Sequence, residues 1–164
     1  MRIDANMLSR ILVAVDASER EAGVFDAAAA LARKFDAVLY VLRAITVSPE
    51  FPPAAVASVA DPLPPHLKRV AFDDLTKLWK RAPDLAPTVP IVAIGQPAKM
   101  ILEAAQDLDV DLIIVGSHGY RGWDHVLGTT AGKVANQADR NVLVVHQPTT
   151  EATARINRMP IGSA

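Results

Sequence analysis

The residues best suited to chemistry are glycines crowded into one segment. Five of the eight glycines in the chain lie from Gly116 to Gly132, after a short apolar run and around the start of a helical pattern near Thr129. Because glycine has no Cβ, its backbone can approach a ligand closely, and the free N–H groups of a helix start attract phosphate. The crowding favours a phosphate-binding loop over the alternative, in which the glycines only make turns.

Asp16 offers a second chemical group, a carboxylate directly after the apolar run Ile11–Val15. Acidic residues in other nucleotide-binding α/β folds accept hydrogen bonds from ribose hydroxyls. The same position suits a helix N-cap or a first-turn acid for a helix that begins near Ser18. Position alone leaves both interpretations open, but in a sheet that pairs the first and fourth strands Asp16 would face Gly116.

Two well-defined phosphate motifs are absent. The segment Gly128–Val134 reads GTTAGKV, with one residue fewer between its glycines than a Walker A loop needs and valine where that loop has Ser or Thr. A dinucleotide fingerprint would follow the first strand, where Asp16-Ala17-Ser18 contains no glycine. A nucleotide site in this chain would therefore differ from both.

The elements that must position these groups are five short apolar runs separated by helical patterns. Runs without apolar–polar alternation indicate strands buried on both faces, in a parallel sheet covered by helices. Pro90 predicts that the third strand is an edge strand, because proline cannot donate to the hydrogen-bond ladder. The predicted strands are 11–15, 37–42, 89–94, 112–115 and 142–145.

The helices are predicted from their apolar spacing and end signals. Ser18 and Glu21 have capping-box spacing, Pro97 suits the first position of the third helix, and Thr129 or Thr130 is predicted to cap the fourth. The predicted apolar faces are Val24, Ala28, Leu31 and Phe35, then Leu67, Val70, Leu75, Leu78 and Trp79, then Met100, Ile101, Ala104, Ala105 and Leu108, and finally Val134, Ala135 and Ala138.

Length and composition restrict the class of protein. The 164 residues fit one domain, which we expect over 1–147 with a flexible tail over 148–164. The absence of cysteine excludes disulfides, a thiol nucleophile and Cys-ligated metals. The net charge of −1 disfavours nucleic acid and anionic membranes as partners. With no signal sequence or membrane-spanning run recognised, we expect a cytoplasmic protein.

The order of these motifs resembles that of a universal stress protein domain. The resemblance runs from about Leu8 to His146, and its most specific part is the last stretch. The segments that carry it are Ile11–Ser18, Gly95–Ala98, Asp111–Gly119, Gly128–Thr129 and Val142–His146.

This resemblance implies a fold, an assembly and a cofactor. The fold would be α/β, a three-layer sandwich around a doubly wound, five-stranded parallel sheet of strand order 3-2-1-4-5, Rossmann-like and similar to the adenine nucleotide alpha hydrolases. The assembly would be a homodimer formed through the last strand, Val142–His146. The cofactor would be ATP, ADP or AMP, with Mg²⁺ held by the phosphates, in a stress-response or regulatory role.

The resemblance also implies a binding pattern, G-x2-G-x9-G-[ST], for the nucleotide. In this chain eight residues separate Gly119 from Gly128, so the pattern is one residue short. The residues implied to bind are Ala14, Val15, Asp16 and Ala44 at the base and ribose, Gly116 at the ribose, Val115 in the same site, His118 as a ligand-orienting residue, and Gly119, Gly128, Thr129 and Thr130 at the phosphates.

Two other functions stay open. The short glycine spacing is consistent with a dimeric interaction module of the same fold that binds no nucleotide. A slow ATPase or a nucleotidyl-transfer enzyme is the other alternative, although no catalytic residue is predicted because no well-placed general base is recognised. No histidine pair has the spacing of a metal site, so we predict no metal held by the protein itself.

Overall fold

A computed structural model describes residues 8–46, 65–85, 88–117 and 128–146 of the chain, the side chains of 65–67 excepted. Within these ranges, strands alternate with helices along the chain. The strands are β1 (Arg10–Val15), β2 (Val38–Ile45), β3 (Thr88–Ile94), β4 (Leu112–Gly116) and β5 (Asn141–Val145). The helices are α1 (Glu21–Phe35), α2 (Pro65–Trp79), α3 (Pro97–Asp107) and α4 (Thr129–Gln137).

The strands form one parallel sheet in the order β3-β2-β1-β4-β5, which confirms the predicted architecture. The chain winds outward from β1 in both directions, so the strand order reverses between β1 and β4. At this reversal, Ala14 lies between Leu42 of β2 and Val115 of β4. Sheets of this kind bind ligands beyond the carboxyl ends of the strands at such a reversal.

The central strands are buried on both faces, as their continuous apolar runs predict. Ile11, Leu12 and Val13 of β1 have no exposed surface. Proline is tolerated in β3 because this strand lies at the edge of the sheet, as predicted from Pro90. The predicted end of β2 is wrong, because the strand continues to Ile45 by pairing with the last residues of β3.

Two helical layers cover the sheet. Helices α1 and α2 pack on one face, against Ile11, Val13 and Ile114, with Phe25 the largest fully buried side chain. Helices α3 and α4 pack on the other face, against Leu12 and Ile113. The sheet thus separates two apolar cores, and both sides of its carboxyl edge are bordered by helices.

The predicted apolar face of α2 is partly wrong. Val70 and Trp79 are 53% and 42% exposed, whereas Ala71, Leu75 and Leu78 are buried. These three residues follow the i, i+4, i+7 spacing of one helical stripe. Periodicity alone does not distinguish this stripe from the neighbouring one that contains Val70. The choice depends on packing, because the small side chain of Ala71 allows the helix to lie close to the sheet.

Two predicted helix caps are also wrong. Helix α1 begins at Glu21, and the Ser18 hydroxyl accepts the amide of Arg20 at 3.3 Å rather than closing a capping box. Helix α4 has Gly128 as its N-cap, with Thr129 as its first residue. Extended backbone at Gly128 makes the turn into the helix without a side-chain cap. Pro97 does occupy the first position of α3, as predicted.

Several predictions fall on residues outside the described ranges, namely His118, Gly119 and the tail over 148–164. In the part of the chain that the structure describes, no helix combines the length and apolar character needed to cross a bilayer.

Candidate functional site

A cavity of about 320 Å³ opens at the carboxyl edge of the sheet, where the strand order reverses. Its volume lies at the lower end of the range of about 300–1,000 Å³ that ligand pockets occupy. Eight of the predicted binding residues line it, namely Ala14, Val15, Asp16, Ala44, Val115, Gly116, Thr129 and Thr130. Gly128 is buried directly beside this group, as the N-cap of α4.

Small residues at the strand ends make room for the cavity. Ala14, Ala44 and Gly116 lie near the ends of three adjacent strands, β1, β2 and β4. Leu42 and Ile101 add branched apolar surface from β2 and α3. The result is a mainly apolar recess suited to a flat aromatic group, with polar groups at its rim.

Asp16 is the residue that follows β1, and it lies exposed at this rim. Its Oδ1 accepts the amide of Ser18 at 3.1 Å, which closes a local turn. Asp16 is neither the N-cap nor a first-turn residue of α1, since these positions belong to Arg20 and Glu21. The helix-cap interpretation of Asp16 is therefore wrong, and its carboxylate borders the cavity instead.

The first turn of α4 also borders the cavity. Thr129, Thr130 and Ala131 line it, and the amide of Gly132 closes the first helical bond on the carbonyl of Gly128 at 2.8 Å. The amides of a first helical turn lack acceptors within the helix, and the helix dipole places partial positive charge there. This end of the cavity can accept an anion.

Sequence reasoning missed a charged network that reaches the cavity through Glu21, one of its lining residues. Arg43 of β2 is only 6% exposed, and its Nη2 donates to Glu21 Oε2 at 2.5 Å. The other terminal nitrogen donates to Asp74 of α2 at 3.1 Å. The same Glu21 oxygen accepts the amide of Ala17 at 2.9 Å, in the turn after Asp16. An arginine inside an otherwise apolar strand is the signal that could have revealed this network.

Positive charges near Asp74 favour the ionised form of its carboxyl group. The hydrogen bond from Lys77, aided by the charge of Arg43, lowers the pKa of Asp74 below its usual value. Because a lowered pKa keeps a carboxyl ionised at neutral pH, Asp74 provides Arg43 with a lasting negative partner. Arg43 therefore joins α1 and α2 through two carboxylates.

Comparison with known sequences identifies a family. The model of the universal stress protein family matches residues 7–146. Universal stress protein A homolog 1 from Coxiella burnetii is 32% identical over 141 residues, which cover 82% of this chain and 94% of that protein.

Solved structures share the fold. One is a universal stress protein in complex with cAMP, with a TM-score of 0.62 and 19% identity over 85% of this chain and 97% of that one. Another is the universal stress protein from Archaeoglobus fulgidus in complex with dAMP, with a TM-score of 0.57 and 20% identity over 84% of this chain and 98% of that one. At these identities the similarity establishes the fold.

Proposed function

The chain belongs to the universal stress protein family, and from this premise we propose that it binds an adenine nucleotide, ATP or its products ADP and AMP, as a dimeric regulatory module of a stress response. The observation that carries the proposal is one cavity bordered by Asp16, Gly116 and the first turn of α4. Two structural relatives hold cAMP and dAMP, which supports an adenine nucleotide in particular.

Each part of the nucleotide has a chemical counterpart around the cavity. The base would pack in the apolar recess beside Ala44 and Val115, and the ribose hydroxyls would donate to the carboxylate of Asp16. The phosphates would extend toward Thr129 and Thr130, because the start of α4 attracts anions. We assign His118 and Gly119 to the same ligand by resemblance to the family.

Mg²⁺ would enter with the phosphates and neutralise part of their charge. Over the described ranges, the acidic and histidine side chains form no cluster of three that could hold a metal ion. In this proposal the nucleotide phosphates supply most of the ligands of the ion.

Isothermal titration of the full chain with Mg·ATP tests this proposal, together with the melting temperature in the presence and absence of nucleotide. We expect saturable binding and a rise in melting temperature, because a ligand that binds only the folded state stabilises it. No heat of binding at millimolar ATP, with an unchanged melting temperature, would instead favour the interaction module that binds no nucleotide.

The dimer in this proposal would form through β5. This strand pairs only with β4 among the described strands, so its other edge offers backbone groups for a partner. Leu143 in the middle of β5 is 38% exposed, although leucine is usually buried. A second copy of β5, antiparallel to the first, would pair this edge and cover Leu143.

Light scattering after size exclusion tests the dimer. We expect a mass near twice 17.5 kDa for the unchanged chain and a shift toward the monomer for Leu143→Lys. Val89→Lys is the matched control, because Val89 is 37% exposed on β3 at the opposite edge of the sheet. Equal dissociation by both variants would remove β5 from the interface.

A further inference from the structure

The network around Arg43 has features that structural support alone does not require. Arg43 lies beside Val15, near the end of β2, and is almost completely buried. Its Nε is buried without a hydrogen-bond partner among the described residues, while both terminal nitrogens bind carboxylates. Burial of a charge is unfavourable unless it is paired. The position of Arg43 therefore depends on Glu21 and Asp74, and their positions depend on Arg43.

Glu21 transmits this arrangement to the turn after β1. Its Oε2 accepts hydrogen bonds from both Arg43 Nη2 and the amide of Ala17. Ala17 has a φ of +64°, in the left-handed region, which is unfavourable for a residue with a side chain. A turn with this conformation needs support from its surroundings, and Glu21 supplies a charge-assisted hydrogen bond to it.

The turn supported in this way is the one that presents Asp16. Ala17 is the next residue along the chain, so the orientation of its peptide sets the direction of the Asp16 side chain at the rim. The carboxylate of Asp16 in turn accepts the amide of Ser18, on the other side of Ala17. The conformation of Ala17 thus connects the buried Arg43 with the exposed rim of the cavity.

We propose that Arg43 is a positioning residue for ribose recognition, which acts through Glu21 and Ala17 to hold Asp16 in the orientation that accepts the ribose hydroxyls. The inference rests on the proposed function, in which Asp16 binds the ribose. It concerns the ribose alone, because in the proposed function the phosphates extend toward α4, which packs on the other face of the sheet from the two helices that Arg43 joins.

Arginine suits this role better than lysine. Its planar guanidinium reaches two carboxylates on different helices at once, Glu21 on α1 and Asp74 on α2, in a fixed geometry. A lysine at this position would keep the charge next to Glu21 but would present a single ammonium group to the two acids. Arg43→Lys is therefore expected to retain part of the positioning effect.

The chain also offers a matched control. Arg81 binds Asp26 of α1 through two hydrogen bonds, at 2.9 and 2.6 Å, just after the end of α2. This ion pair links the same helical layer but has no contact with Ala17 among the hydrogen bonds described. Arg81→Met removes an arginine–aspartate pair from that layer while leaving the Glu21 network in place.

The experiment compares the unchanged chain with Arg43→Met, Arg43→Lys and Arg81→Met. Titration with ATP and with 2′,3′-dideoxy-ATP gives the ratio of the two Kd values, and hydrogen exchange without ligand gives the protection of the Ala17 amide. We expect the unchanged chain to prefer ATP by roughly tenfold or more, the effect of losing charge-assisted hydrogen bonds. Arg43→Met is expected to bring this ratio close to one and to accelerate exchange at Ala17.

The controls distinguish the positioning of Asp16 from a general destabilisation of the helical layer. Arg43→Lys is expected to recover part of the preference for ATP, and Arg81→Met to leave both the ratio and the Ala17 exchange unchanged. If Arg43→Met does not fold, Glu21→Gln replaces it, because it removes the charge that pairs with Arg43 at constant side-chain length. This variant is likewise expected to lower the ratio.

The outcomes distinguish the inference from the proposed function. A preference for ATP that survives in Arg43→Met, or in Glu21→Gln where that variant is used, overturns the inference and leaves nucleotide binding intact. An unchanged chain that binds neither ligand, or binds both equally, overturns the ribose role of Asp16 and the inference with it. An Arg81→Met variant that loses the preference as fully as Arg43→Met also overturns it, because packing of the layer would then explain both.

Discussion

The two edges of the sheet use similar residues for different purposes. At the amino edge, where the strands begin, Asp111 Oδ2 accepts the amides of Ser9 and Arg10 at 2.7 and 2.9 Å. Arg140 there donates to the carbonyls of Ala105 and Val110 at 2.7 and 2.9 Å. At the carboxyl edge, acidic side chains border an open cavity instead.

The difference separates residues that support the fold from residues that the proposed function assigns to binding. Charged groups at the amino edge satisfy backbone groups of loops that would otherwise lose their hydrogen bonds on folding. At the carboxyl edge, Asp16 makes a local turn and small residues leave space around it. We therefore expect substitutions at the amino edge to change the free energy of unfolding, and substitutions at the carboxyl edge to change affinity.

Asp111→Ala should have the largest effect. It removes the acceptor of two backbone amides. The Ser9 amide is part-buried and costs about 1–3 kcal/mol when left without a partner, whereas water can replace the acceptor of the exposed Arg10 amide. We expect the free energy of unfolding to fall by roughly 2–3 kcal/mol, measured by urea denaturation, with little change in the Kd for ATP. Asp107→Ala, an exposed substitution at the end of α3, is the control. If Asp111→Ala lowers the free energy of unfolding no more than Asp107→Ala does, the amino edge does not have the stabilising role described above.

Asp16→Ala should weaken nucleotide binding and leave stability almost unchanged. Its carboxylate would lose the ribose hydroxyls, so the Kd for ATP should rise by roughly 10- to 100-fold. The free energy of unfolding should change by less than about 1 kcal/mol, the usual value of one hydrogen bond. Titration with ATP and with inorganic triphosphate provides the measurement. Equal losses for the two ligands would remove Asp16 from the ribose.

Arg140→Met tests the amino edge by removing a cationic side chain. The substitution retains an apolar stem but removes two hydrogen bonds to carbonyls. We expect a loss of about 1–3 kcal/mol in the free energy of unfolding, with ATP affinity unchanged. Arg140→Lys should recover only part of this stability, because one ammonium group replaces the fork of the guanidinium. Full recovery would show that charge, rather than geometry, matters here.

The smallest expected effect is a pH dependence at the amino edge. The hydrogen bond from Arg33 lowers the pKa of Asp84 from 3.8 to about 2. A lowered folded-state pKa stabilises the fold above the unfolded value, and this contribution disappears as the pH falls from about 4 to about 2. The effect is small because both side chains are exposed.

Arg33→Met provides the comparison for this pH dependence. At pH 7 the variant should melt slightly below the unchanged chain, and the gap should close as the pH approaches 2. Thermal melts of both proteins across that range measure the difference, while the titration of other carboxylates largely cancels between them. A gap independent of pH would exclude the Arg33–Asp84 pair as its source.

Much of the candidate site could be predicted from the sequence. Asp16 and Gly116 are 100 positions apart, yet both follow from one rule, since parallel strands end at the same edge of a sheet. The resemblance to the family supplied the strand order that brings them together. The contact between Glu21 and Arg43 was missed because no local pattern links two residues that pack only after α1 has returned across the sheet.

Local patterns were sufficient to locate the strands, although not the end of β2, because continuous apolar runs are stable mainly where both faces of a sheet are covered. They were insufficient for the buried face of α2, where Ala71 rather than Val70 is buried, and for the N-cap of α4, which is Gly128. Such choices depend on the distance between packed elements, which composition does not encode. The same holds for Arg43, whose burial becomes favourable only once two helices bring their carboxylates to it.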